Sequence, residues 1–126
     1  MGMKFYKCNQ CEGVLATVAA PGISVTYCGE EMVELVPNTI DAAVEKHVPV
    51  IEIKGHVVTV KVGSVPHPML PEHYIQFITL KTKEGFQLKE LKPGDKPEAT
   101  FALADGDKVI SSQELCNIHG LWEKKI

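Results

Sequence analysis

Near the end of the chain, Cys116-Asn117-Ile118-His119 sets a thiol and an imidazole three positions apart. A thiolate is a soft ligand and an imidazole a borderline one, so such a pair can close on one iron, zinc or copper ion. Taken alone, the pair reads as readily as a buried small hydrophobe beside a hydrogen-bonded ring. Three upstream histidines shift that balance. His47 precedes Val48-Pro49, His67 stands between Pro66 and Pro68, and His73 lies in Pro71-Glu72-His73-Tyr74. Proline fixes its own φ and drives the preceding residue towards extended geometry, so stiff loops are expected here, able to hold a ring without a helix. Each histidine read singly is a surface loop residue. Four His and one Cys, all beside strand ends, make a candidate metal site.

The elements that must position these side chains are mostly strands. From Pro49 the pattern is β: Pro49 to Ile53 begins it, and His56 to Val62 puts Val58, Val60 and Val62 on one face with Thr59 and Lys61 on the other. Tyr74 to Lys81, Gly85 to Leu91, Ala99 to Leu103 and Lys108 to Leu115 continue as short segments. Lys83-Glu84-Gly85, Lys92-Pro93-Gly94-Asp95 and Asp105-Gly106-Asp107 separate them with turn chemistry. Short strands at this spacing predict an antiparallel β-sandwich. Before them, Thr39 to Lys46 has short helical character with Asn38 or Thr39 as cap, and would carry Glu45 and Lys46 to the site. Val33 to Asn38 ends an apolar run on a Pro-Asn pair and reads as a joint between a small module, residues 1–36, and the main domain, residues 37–126.

Composition narrows the function classes. A chain of 126 residues with net charge −3 is one domain, or one domain with a small appendage. Its 13 basic side chains are all lysine, so the guanidinium fork that reads phosphates and guanines is missing and nucleic acid is not an expected partner. The N-terminus lacks the apolar core of a signal peptide and no apolar run approaches the ~20 residues of a membrane span. A cytoplasmic protein is expected. Four cysteines in a reducing compartment then favour ligands or thiols over disulfides, although the even count would permit two bridges in a secreted protein.

Five blocks occur in order between about Thr39 and Trp122: Glu45-Lys46-His47-Val48-Pro49-Val50; Val62-Gly63-Ser64-Val65-Pro66-His67-Pro68-Met69; Glu72-His73-Tyr74-Ile75; Leu91-Lys92-Pro93-Gly94 with Pro97-Glu98-Ala99; and Cys116-Asn117-Ile118-His119-Gly120. Together they resemble the superoxide reductase family, the desulfoferrodoxin and neelaredoxin group, far more specifically than one motif could. The resemblance implies an immunoglobulin-like β-sandwich holding one mononuclear iron per chain. His47, His67, His73 and His119 would bind it in a plane with Cys116 on the axis, leaving the position opposite the thiolate open. It further implies one-electron reduction of superoxide to hydrogen peroxide, in the oxidative-stress defence of an anaerobe or microaerophile. Glu45 would bind the ferric iron after product release, and Lys46 would attract the anion and organise water for protonation. The implied electron donor is a rubredoxin, and the implied assembly a homodimer or tetramer.

The N-terminal segment departs from that pattern. Cys8-Asn9-Gln10-Cys11 has the spacing of a metal knuckle and Cys28 could add a third thiol. Relatives with a rubredoxin-like iron centre carry two adjacent cysteines in this segment, and here Tyr27 stands where the first would be. Tyrosinate is a poor fourth ligand, since a pKa near ~10 makes the anion costly at neutral pH. The favoured reading is a desulforedoxin-like module without its iron centre, with no second metal at Cys8, Cys11 and Cys28. A zinc or cluster site on those thiols, or pairing of Cys8 with Cys11, stays open. His56, outside every matching block, is expected to face solvent, and Trp122 to pack or to shield the metal. Three other classes remain: a non-catalytic iron or electron-transfer protein with the same ligands, a zinc-stabilised interaction domain, and a dismutase. The last is disfavoured because a thiolate and an anionic Glu45 ligand would stabilise ferric iron.

Overall fold

The computed structural model describes residues 3–19 and 24–126, and the chain divides into two compact units, Met1–Val36 and Pro37–Ile126. In the first unit β1 (Lys4–Lys7) pairs antiparallel with β2 (Val14–Thr17). Two short strands, β3 (Thr26–Tyr27) and β4 (Glu30–Glu31), pair with each other, and β5 (Val33–Glu34) returns to the free side of β1. Cys28 and Gly29 alone link β3 to β4, at φ 52° and 78°. Two central residues in the left-handed region define a tight hairpin turn whose twist suits antiparallel strands, and this is where Gly29 is needed. A small core forms from Tyr6, Cys8 and Met32, with Val25 against it.

The second unit opens with one helical turn, α1 (Val44–His47), and continues entirely in strands: β6 (Pro49–Lys54), β7 (Val57–Val62), β8 (Ile75–Thr82), β9 (Phe86–Glu90), β10 (Glu98–Ala102), β11 (Val109–Cys116) and β12 (Gly120–Lys125). They form two antiparallel sheets, in the orders β10-β7-β6 and β12-β11-β8-β9. The alternation seen in the sequence sets the core. Val58, Val60 and Val62 of β7 are fully buried and pack with Ala99 and Phe101 of β10 and with Ile75, Ile78 and Leu80 of β8. At about 1.5–3 kcal/mol for each fully buried large apolar side chain, this layer dominates the stability of the unit. The mainly β, antiparallel architecture is the one expected. Among the described residues, no helix is long and apolar enough to cross a membrane.

Two details differ from expectation. Helix covers only Val44–His47, and neither Asn38 nor Thr39 caps it; the N-cap is Ala43, with no side-chain cap bond. Asn38, at φ 60°, instead accepts a hydrogen bond from the Glu123 N–H (2.9 Å) and donates one to the Glu123 carbonyl (3.2 Å). A long-range bond to β12 has taken the side chain that a local cap would have used. The second difference is β12 itself, which was not expected as a strand. Its register with β11 runs from Ser111↔Lys125 to Cys116↔Gly120.

Candidate metal centre

The second unit brings His47, His67, His73, Cys116 and His119 together, with their ligand atoms all within 4.8 Å of one another. His47 closes α1, not the loop expected for it, and the turn after β7 is fastened to that helix. The Glu45 carbonyl accepts hydrogen bonds from the Val65 N–H (2.9 Å) and the Ser64 hydroxyl (3.2 Å). A Cβ at Gly63 would lie 2.7 Å from the Glu45 oxygen and 3.0 Å from that of Val48, so only glycine permits this approach. His67 then follows, its N–H donating to the Val62 carbonyl at 2.9 Å. His73 sits in a two-residue bridge with Leu70. Asn117 ties its neighbours to the Cys116 turn: Oδ1 accepts from the Tyr74 N–H (2.9 Å) and Nδ2 donates to the Glu72 carbonyl (3.0 Å). Cys116 ends β11, and His119, on the way into β12, donates its N–H to the Cys116 sulfur at 3.4 Å.

The rings adopt one cyclic arrangement. Centroids of neighbours lie 4.8 Å (His47–His67), 4.6 Å (His67–His73), 5.1 Å (His73–His119) and 4.9 Å (His119–His47) apart, each pair between 75° and 89° to the other. Four edge-to-face contacts therefore close a square. Two tautomers are fixed by their partners. Nδ1 of His47 lies 2.7 Å from the Ala43 carbonyl, and Nδ1 of His67 lies 2.7 Å from that of Pro68. A carbonyl only accepts, so both Nδ1 atoms carry the proton and both Nε2 atoms present lone pairs. Those lone pairs meet at 3.2 Å, and Nε2 of His47 is 3.1 Å from Nδ1 of His119.

Two neutral acceptors facing at that distance repel unless a cation lies between them. Protonation does not supply it readily: burial first, and the other imidazoles after it, bring His67 down to about 4. His47 and His73 are also lowered, in each case by burial first. The buried Nε2 of His73 has no hydrogen-bond partner among the described residues. Cys116, buried in the hydrophobic core, brings a sulfur to 3.8 Å from Nδ1 of His119. Inward lone pairs, an orphaned ring nitrogen and one soft donor fit a mononuclear iron centre of four imidazoles and a thiolate.

Around this cluster the structure adds groups that spacing did not reveal. The backbone carbonyls of Ala43 and Pro68 orient two rings; the Pro next to His67 was visible, but not that its carbonyl would turn back. Trp122 stacks on His47 (centroids 5.0 Å, planes 28° apart) and donates its indole N–H to the His119 carbonyl at 3.0 Å. It covers the site, as one reading of it anticipated. Glu114 is fully buried, and desolvation pushes its carboxyl up to about 9, so it is neutral at pH 7. Glu45 and Lys46 are exposed on α1, and the Lys46 ammonium is close enough to depress His73. A groove of about 410 Å³ beside α1 is lined by Glu45, Val48 and Lys124 among others but by none of the five donors. His56 is exposed and pairs with Asp105 at 2.7 Å. Among the described residues no second group of three or more His, Cys, Asp or Glu converges, so Cys8, Cys11 and Cys28 do not assemble one.

Comparisons with known proteins agree with this geometry. Residues 39–125 match the family model for desulfoferrodoxin. A desulfoferrodoxin homolog of Archaeoglobus fulgidus is 45% identical over 96% of this chain and 95% of its own length. A desulfoferrodoxin of Syntrophotalea carbinolica is 43% identical over 98% and 96%. The crystal structure of the superoxide reductase from Treponema pallidum superposes with a TM-score of 0.88 at 47% identity, covering 99% of this chain and all of the other. A family model spanning the whole sandwich, over the same five donors that the fold gathers, makes this chain a member of the desulfoferrodoxin family.

Proposed function

We propose that this chain is a superoxide reductase, converting superoxide to hydrogen peroxide with one electron and two protons. The observation that carries the reading is the closed square of four imidazoles with a core-buried thiol beside it, a donor set suited to one redox-active iron. An iron held there by His47, His67, His73, His119 and Cys116 would supply the electron by cycling between the ferrous and ferric states. The chain's own residues prepare the site for an anion. The Ala43 and Pro68 carbonyls hold the His47 and His67 rings neutral and inward, and Trp122 excludes water from the His47 face. Lys46, exposed beside His73, is the local cation that draws in superoxide although the chain is acidic overall. Glu45, two positions before His47, is the carboxylate available to the oxidised metal.

Turnover needs an external reductant, and a small rubredoxin-like protein in the cytoplasm is the proposed donor, with a homodimer or tetramer as the working assembly. Residues 1–36 are read as a desulforedoxin-like module lacking its iron centre, supported by Tyr27 in place of a fourth thiol. The test uses anaerobically purified, iron-loaded, reduced protein exposed to a superoxide pulse. One peroxide per superoxide with no dioxygen released is expected, and Lys46→Ala slows the reaction most at low ionic strength. Dioxygen release would instead make it a dismutase. Absence of superoxide consumption would leave an electron-transfer protein, and native zinc would leave an interaction domain.

A further inference from the structure

Cys8, Cys11 and Cys28 take no part in the centre described above, and the first two are built into one turn. The Cys8 sulfur accepts hydrogen bonds from the backbone N–H groups of Gln10 and Cys11 and from the Cys11 thiol. Cys11 in turn takes the Gly13 N–H, and the Cys8 N–H donates to the Gly13 carbonyl at 2.9 Å, closing the loop. Cys8 is buried against Tyr6 and Met32, whereas Cys11 is exposed. Gly13 packs closely beside this turn: a Cβ there would touch both the Cys11 sulfur and Tyr27 Cε1 at 3.5 Å. Two sulfurs in mutual contact, one shielded and one accessible, suit two-electron oxidation better than ion binding.

We propose that Cys8 and Cys11 are a dithiol that hydrogen peroxide converts to an intramolecular disulfide. One sulfur of the pair attacks peroxide, an S–O bond forms as the O–O bond breaks, and a sulfenic acid and one water result. The other sulfur then attacks the sulfenic acid, the S–S bond forms, the S–O bond breaks, and the departing hydroxide takes up the attacking thiol's proton as a second water. Two thiols and one peroxide thus give one disulfide and two waters. The Cys11 thiol first, and the Cys11 and Gln10 amides after it, hold the Cys8 pKa below the usual thiol value, and the same contact holds that of Cys11 above it, so the two sulfurs act as one coupled pair. Peroxide is the product proposed above, but the dithiol does not rest on that reading, because any source of peroxide serves.

The test treats the intact, iron-loaded chain with one equivalent of added hydrogen peroxide after removal of reductant, alkylates it, and maps the peptides. The expected product is a Cys8–Cys11 disulfide, two hydrogens lighter, reversed by dithiothreitol and formed equally in Cys28→Ser. Cys11→Ser, a substitution at an exposed site that spares the core, should form none. Cys8→Ala should likewise form none, with the Cys11 peptide recovered unbridged. A bridge through Cys28, a bridge between chains, sulfinic acid on Cys11 beside an intact Cys8 thiol in the unsubstituted chain, or thiols left unoxidised would each overturn the proposal.

Discussion

Five donors meet in the second unit, while three thiols in the first do not, although both regions were candidates on sequence spacing. The difference lies in how far apart in the chain the positioning devices sit. Cys8 and Cys11 are placed by one turn, which suffices for two sulfurs; Cys28, at the left-handed tip of the β3–β4 hairpin, answers to a different turn. In the second unit a helix end, two proline-flanked loops and the β11–β12 connection are locked to one another by long-range bonds: Val65 and Ser64 to Glu45, Asn117 to Tyr74 and Glu72, Asn38 to Glu123. Local turns set pairs of donors. Gathering five takes tertiary register, and a backbone acceptor behind a ring fixes which nitrogen faces in.

The sharpest way to break this contrast is to delete a donor in each region. His67→Ala should lower iron affinity by at least about 10-fold, since even partners behind a ligand cost that much, whereas Cys11→Ser should leave iron per chain unchanged in a chelator competition. Equal losses from the two would end the comparison. Next in size, Gly63→Ala drives a methyl into the Glu45 and Val48 carbonyls, so urea denaturation should report a loss of about 2 kcal/mol together with weaker iron binding. Full iron binding in a destabilised Gly63→Ala chain would mean that fastening α1 to the β7 turn does not position His47.

The smallest effect is expected at Asp107, a fastening with no hydrogen bond to the cluster. Its carboxylate accepts from the Thr82 hydroxyl at 2.7 Å and from the Glu84 and Lys108 N–H groups, and the Thr82 bond leads in holding its pKa below 3.8. A carboxyl depressed by folding stabilises fully above its unfolded value and loses that contribution as pH falls through the folded one. The gap in urea midpoint between the native chain and Asp107→Ala should accordingly be small and constant near neutrality and narrow below pH 3.8. Iron content should not change. A gap that widens in acid would reverse the sign of the argument.

Much of the sandwich was legible because period-two alternation in Val58, Val60 and Val62 is a direct imprint of burial on one face. The five donors were legible as types and spacings, and their family resemblance ordered them. What could not be read was relational. Asn38 looked like a helix cap because capping is local, yet its partner is 85 residues away. β12 escaped because Gly120-Leu121-Trp122-Glu123-Lys124-Lys125 shows too little alternation, and its place is dictated by β11. Glu114 reads as an ordinary polar residue in a strand, and only the packed structure reveals a carboxyl without solvent. Nor does sequence say that the Ala43 and Pro68 carbonyls choose the tautomers.

His47 and His119 lie 72 residues apart in the chain, with His67, His73 and Cys116 between them. An ion gripping all five would act as a multi-point cross-link on the sandwich, and the unfolded chain would have to forfeit every one of those bonds. Metal supply then becomes a stability variable: free ion at a hundredfold over its dissociation constant adds about 2.7 kcal/mol to the folded state. Melting of the second unit should track iron concentration and fall with a chelator, so a cell short of iron would hold a softer, more readily degraded pool of this protein.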